Sequence, residues 1–144
     1  MSKNKVVVDT NILISGFVFG GTTRKVIETI FLYHKFFFSP ELLNEYRNVP
    51  TFLKQKNKIT SFQLEILVSG IAAFVSQGHI VFPKERLNIC RDKTDNMLLE
   101  CCIAASADFL VTGDKDLIEI DYNLFPKKIS KLKIITPDKF LQII

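Results

Sequence analysis

Short unbroken apolar runs, rich in β-branched and aromatic residues, alternate along this chain with stretches whose apolar residues recur at helical spacing. The runs are Lys5-Val6-Val7-Val8, Lys35-Phe36-Phe37-Phe38, Ile80-Val81-Phe82, Phe109-Leu110-Val111-Thr112 and Leu132 to Ile135. A run without polar alternation reads as a strand buried on both faces, and strands that alternate with helices read as a parallel sheet between helical layers. The punctuation agrees. Asp9-Thr10-Asn11 is suited to capping a helix after the first run, and Thr22, beyond Gly20-Gly21, to capping a second that turns Val26, Ile27, Ile30 and Phe31 inward. Ser39-Pro40 opens a third helix, with Leu42, Leu43 and Tyr46 on one face, expected to end before Pro50. Thr60-Ser61-Phe62-Gln63 reads as a capping box, starting a long helix to about Gln77 that Gly78 stops. Further helices are expected from about Thr94 to Ala107, through Leu117 and Ile118, and after Thr136-Pro137 with Phe140, Leu141 and Ile144 inward. The expectation is an α/β fold, a three-layer α/β/α arrangement around a mainly parallel sheet of roughly five strands, as a single domain over residues 1–144.

Composition excludes several classes. Apolar residues make up 47% and charged residues 24%, a globular rather than a disordered balance. No apolar run approaches the roughly 20 residues of a membrane helix, and no signal peptide is visible, so a cytoplasmic protein without a membrane partner is expected. Cys101 and Cys102 are adjacent and Cys90 stands apart, which suits reduced, buried thiols rather than a disulfide framework. With only His34 and His79 beside them, a zinc site is not expected.

In parallel sheets ligands bind beyond the carboxyl ends of the strands, near the point where strand order reverses. Asp9 follows the first strand directly, and Asp114 follows the fourth after a single glycine. Taken singly, Asp9, Asp95 and Asp114 would serve as helix caps, and Glu45 as a solvated charge on an amphipathic helix. No Walker loop and no G-x-G-x-x-G occurs. A receiver domain would want paired acids after the first strand. A haloacid-dehalogenase-like phosphatase would want a second Asp where Asn11 stands.

Four segments bear on the choice: Val6-Val7-Val8-Asp9-Thr10-Asn11-Ile12-Leu13, Ser39-Pro40-Glu41-Leu42-Leu43-Asn44-Glu45, Asp92-Lys93-Thr94-Asp95-Asn96-Met97-Leu98-Leu99-Glu100, and Ala107 through Thr112-Gly113-Asp114-Lys115-Asp116-Leu117. In order and spacing they resemble the PIN-domain family, and in flavour its bacterial branch of toxins from toxin–antitoxin pairs. The resemblance covers essentially the whole chain. It implies a PIN-like fold, catalytic metal-binding acids at Asp9, Glu45, Asp95 and Asp114, and Asp116 as a frequent fifth member. Thr10, Asn11, Asn96 and Thr112 would orient carboxylates by hydrogen bonds, as metal sites generally require. One departure is visible: related sequences often read Asp-Pro-Asp-Asp-Asn where this chain has Asp92-Lys93-Thr94-Asp95-Asn96.

Hard oxygen donors without His or Cys favour Mg²⁺ or Mn²⁺, as one ion or a pair. Net charge is +4, and leaving out the four acids the remainder has 19 basic against 11 acidic residues, an anion-attracting balance. The implied activity is metal-dependent endonuclease cleavage of single-stranded RNA. RNA, an antitoxin protein and a second copy of the chain are the expected partners. The alternatives are a PIN-like RNA-binding module without catalysis and a structure-specific DNA nuclease. Arg24 and Lys25, at a helix start, are candidate phosphate contacts, although a solvated first turn serves equally. Lys54, Lys56 and Lys58 could line a substrate path or a solvated face. Lys115, between Asp114 and Asp116, serves equally to balance them.

Overall fold

The computed structural model describes residues 3–126 and 131–144. Five strands, β1 (Lys5–Val8), β2 (Lys35–Phe38), β3 (His79–Ile80), β4 (Phe109–Val111) and β5 (Lys133–Ile135), form one sheet in the order β3-β2-β1-β4-β5. Every pairing is parallel, with Val6 opposite both Phe36 and Phe109. The helices are α1 (Thr10–Val18), α2 (Gly21–Tyr33), α3 (Pro40–Gln55), α4 (Ser61–Ser76), α5 (Lys93–Ala105), α6 (Lys115–Ile118) and α7 (Pro137–Ile143). This is the expected three-layer α/β/α architecture. Covered on both faces, Val6, Val7 and Val8 are at most 1% exposed, and the core continues through Leu13, Ile30, Leu42, Leu67, Leu98, Leu110 and Phe140.

Strand order reverses at β1: β2 and β3 lie to one side of it, β4 and β5 to the other. The crevice rule therefore points between the carboxyl ends of β1 and β4.

Four local expectations are corrected, the first being Phe31, which was expected inward and is 43% exposed. Helix α2 begins at Gly21 rather than at a Thr22 cap, because Gly20 and Gly21 carry φ of +77° and +69°. Side-chained residues avoid that backbone region, so the start falls on the glycines. Helix α3 does not end before Pro50 but runs through it to Gln55. A mid-helix proline loses one backbone hydrogen bond. Here Pro50 is buried on the same face as Leu42 and Tyr46, with Leu53 packed below, and this burial offsets the loss. Strand β3 is two residues at the sheet edge, and Phe82 lies beyond it, 68% exposed. The capping box at Thr60 and Gln63 is formed in both directions.

Candidate active site

Asp9 extends the β1–β4 ladder by donating its backbone N–H to the Val111 carbonyl (3.0 Å). Its side chain stands at the N-cap position of α1 yet makes no capping hydrogen bond. Instead Oδ2 accepts from the Thr112 hydroxyl at 2.7 Å, deep in the protein. The same Thr112 oxygen accepts the backbone N–H of Asp114 (3.0 Å), so one hydroxyl ties the ends of both central strands together. Asp114 caps α6 through the Asp116 N–H (2.9 Å). Burial raises the Asp9 carboxyl's pKa and Asp114's charge adds to that, while Thr112 and the N–H groups of Thr10 and Asn11 pull it back.

Asp95 lies in the first turn of α5, and the capping role belongs to Asp92, whose Oδ1 accepts the Thr94 N–H at 2.9 Å. Released from capping, the Asp95 carboxyl is buried, and its pKa rises to about 7. Burial is the largest cause, followed by the charges of Asp114 and Asp92, a hydrogen bond to the Asp114 carboxyl, and Asp9. A carboxyl–carboxyl hydrogen bond requires a proton, and here it favours the protonated form of Asp95.

Glu45 arrives from α3. The next residue, buried Tyr46, donates its hydroxyl to the Val8 carbonyl, which docks α3 on the end of β1. Burial raises the Glu45 pKa, Asp9 adds repulsion, the Thr10 hydroxyl opposes, and Asp92 repels in turn. Glu45 Oε2 and Thr10 Oγ1 are both buried without a well-formed hydrogen bond. The structure thus couples Asp9, Glu45, Asp95 and Asp114 electrostatically, and adds Asp92, which sequence reasoning passed over. Its signal was its place three residues before Asp95, one helical turn away.

The supporting residues divide. Thr112 bridges Asp9 and Asp114; Asn11 is exposed. Asn96, expected to orient a carboxylate, holds a loop instead. Its Oδ1 accepts the N–H of Ile89 (3.0 Å) and of Cys90 (2.8 Å), and its Nδ2 donates to the Cys90 carbonyl. The reason is geometric: three backbone groups of the irregular segment before α5 need partners, and a buried amide supplies donor and acceptor at once. Asp116 is exposed and paired with Arg91 at 3.3 Å. Arg24 is turned to Glu28 (3.2 Å) and the Phe17 ring, on the wall of an apolar groove separate from the pocket beside Asp95. Lys25, Lys56, Lys58 and Lys115 are exposed, and Lys56 lies over the Phe52 ring. Cys101 and Cys102 are buried free thiols, and Cys90 is half-buried near the acids.

Among the described residues, no three His, Cys, Asp or Glu side chains stand ready-arranged around one point. Asp9 is turned to Thr112, Asp95 to Asp114 and Asp116 to Arg91. The chemistry of the donors nonetheless fits a hard divalent cation: oxygen ligands, mutual repulsion that a cation would relieve, and a buried Glu45 oxygen lacking a partner.

Residues 5–116 match the family model described as the PIN domain. The chain is 33% identical over 150 aligned positions to the uncharacterized protein MJ1680 of Methanocaldococcus jannaschii, covering 97% of this chain and 91% of that protein. Among solved structures, 92% of the chain matches 98% of a chain in the crystal structure of VapBC2 from Rickettsia felis bound to a DNA fragment from their promoter. The TM-score is 0.58 and the identity 17%, a likeness of fold.

Proposed function

The chain belongs to the PIN-domain family, and from that premise we propose that it is a metal-dependent endoribonuclease that cuts single-stranded RNA. The observation that carries the reading is the coupled acid group. A fold does not gain from burying Asp9 and Asp95 beside Asp114 and a half-buried Glu45 with one buried oxygen lacking a well-formed hydrogen bond, so the arrangement is held for chemistry. Asp9, Glu45, Asp95 and Asp114, with Asp116 at the rim, would hold Mg²⁺ or Mn²⁺. When bound, such an ion lowers the pKa of a water and neutralises a scissile phosphate.

The chain's own residues do the rest. Thr112 keeps Asp9 oriented and favours its ionised form. Tyr46 fixes the approach of Glu45 to Asp9 by holding Val8. The Asp95 proton has to leave before that carboxylate can act as a ligand, so ion affinity rises with pH. Outside the four acids the chain is strongly basic, which favours a polyanionic substrate.

The resemblance to the toxin branch supports a role as the toxin of a toxin–antitoxin pair in the cytoplasm, with an antitoxin protein and a second copy of the chain as partners. The likeness to the VapBC2 chain agrees with that reading.

Purified protein should degrade single-stranded RNA with Mg²⁺ or Mn²⁺ and stop with EDTA. Asp9→Asn, Glu45→Gln, Asp95→Asn and Asp114→Asn should each lower turnover by orders of magnitude. Glu41→Gln, whose carboxylate faces Arg86 at 3.6 Å, should matter far less. Equal activity in EDTA would overturn the mechanism, and cutting of duplex DNA alone would overturn the substrate.

A further inference from the structure

A small pocket of about 200 Å³ opens beside the acids, lined by Ile89, Cys90, Arg91, Asp95, Asp116 and Ile120. Of these six, Arg91 alone carries positive charge. The backbone just before it is anchored, and its head lies in water. Asn96, the residue after Asp95 on α5 and itself buried, holds the preceding Ile89 and Cys90 by three hydrogen bonds. The Arg91 side chain is 91% exposed, and its partner Asp116 is 66% exposed. An ion pair so open to water is weak and easily exchanged. Glu100, buried on the same helix, secures the start of this segment through the Leu87 N–H (2.8 Å) and Arg86 (3.0 Å). The loop is therefore fixed at both ends to α5, and α5 carries Asp95.

We infer that Arg91 is the residue that takes a backbone phosphate of the substrate, exchanging Asp116 for it, and that Asn96 sets its position. This rests on the ribonuclease reading. A planar guanidinium matches two phosphate oxygens at once, and it already rests against an anionic oxygen, Asp116 Oδ2, at 3.3 Å. Leaving Asp116 for phosphate also frees that carboxylate at the rim of the acid group. The exchange gives the site one cation on the substrate's side of a pocket otherwise walled by acids, one thiol and two isoleucines.

The test measures binding apart from cleavage. In an Asp9→Asn background with Mg²⁺, a short fluorescent single-stranded RNA is titrated by anisotropy over a series of KCl concentrations. Arg91→Ala should weaken binding about tenfold and reduce the salt slope by about 0.7, the value of one phosphate contact on a single strand. Arg91→Lys should keep most of the slope. Lys35→Ala, an equal loss of charge at the opposite end of the sheet, should do neither. In the otherwise wild-type enzyme, Arg91→Ala should raise KM with kcat little changed. Unchanged affinity and slope in Arg91→Ala, or an equal loss in Lys35→Ala, overturns the assignment of Arg91 while leaving the ribonuclease reading in place. Failure of the Asp9→Asn protein to bind RNA even at low salt overturns both.

Discussion

Replacing Asp95 by Asn removes a carboxyl that the fold holds protonated to about pH 7, against an ordinary value of 3.8. Between those values the native protein without metal binds a proton that the unfolded chain has lost, so stability falls as pH rises through the window. At ~1.4 kcal/mol per pH unit the penalty approaches about 4 kcal/mol above pH 7, of which about 1.5 is already present at pH 5. The wild type should thus lose about 2.5 kcal/mol between pH 5 and pH 8 that the variant retains. Asn is a clean replacement: its amide can donate to Asp114 at every pH, and the helix keeps its cap because Asp92 supplies it. Urea unfolding of both proteins in EDTA at pH 5 and pH 8 measures the difference. Repeating pH 8 in excess Mn²⁺ should reverse the order, because an ion that binds the folded state alone stabilises the wild type by mass action. Parallel losses between pH 5 and pH 8 would refute the raised Asp95 pKa. Equal gains from Mn²⁺ would refute Asp95 as a ligand.

Thr112→Val keeps the shape but removes the hydroxyl between Asp9 and the Asp114 N–H, and should cost about 2 kcal/mol in urea unfolding. Without that hydrogen bond the Asp9 pKa rises further, so the acid limb of the pH–rate profile should move to higher pH; an unmoved limb counts against the bridge. Asn96→Ala should speed hydrogen exchange at the Ile89 and Cys90 amides and destabilise by about 2 kcal/mol, and continued protection of those amides would contradict the anchoring. His34 is buried with Nδ1 accepting from Asn4, and burial holds its pKa below the ordinary 6.5. The unfolded chain therefore binds the extra proton, and this contribution to stability is lost as pH falls below about 6.5. An NMR titration midpoint for His34 at or above 6.5 would refute it.

The central strands were legible because each is written in a few adjacent residues: Val6 to Val8, or Phe36 to Phe38, permits little else. The capping box at Thr60 was legible for the same reason. The misreadings come where a partner lies far away. Pro50 looked like a stop because nothing near it in the chain announces the face shared with Leu42 and Tyr46. Asn96 looked like a carboxylate's partner because the family resemblance implied it, whereas its bonds go to Ile89 and Cys90. Asp92 was passed over because a cap and a site acid look alike until the fold shows Glu45 and Asp95 within its field. Arg91 needed the structure altogether, since its neighbour Asp116 stands 25 residues on.

The hydroxyl that joins Asp9 to the turn at Asp114 spans 103 residues of chain. Translation runs from one end only, so Asp9 leaves the ribosome long before the strand it pairs with exists. β2 can dock on β1 early, but β4 is the next-to-last strand made, and Thr112 and Asp114 come after it. A nascent chain on its way out therefore carries the first acid on an open sheet edge, facing no partner. For a protein that would cut RNA, this order of assembly would postpone activity until the segment through Asp114 has been delivered. The corresponding burden is a late, long-range closure, the kind of step that slows folding and leaves an apolar edge unpaired while it waits.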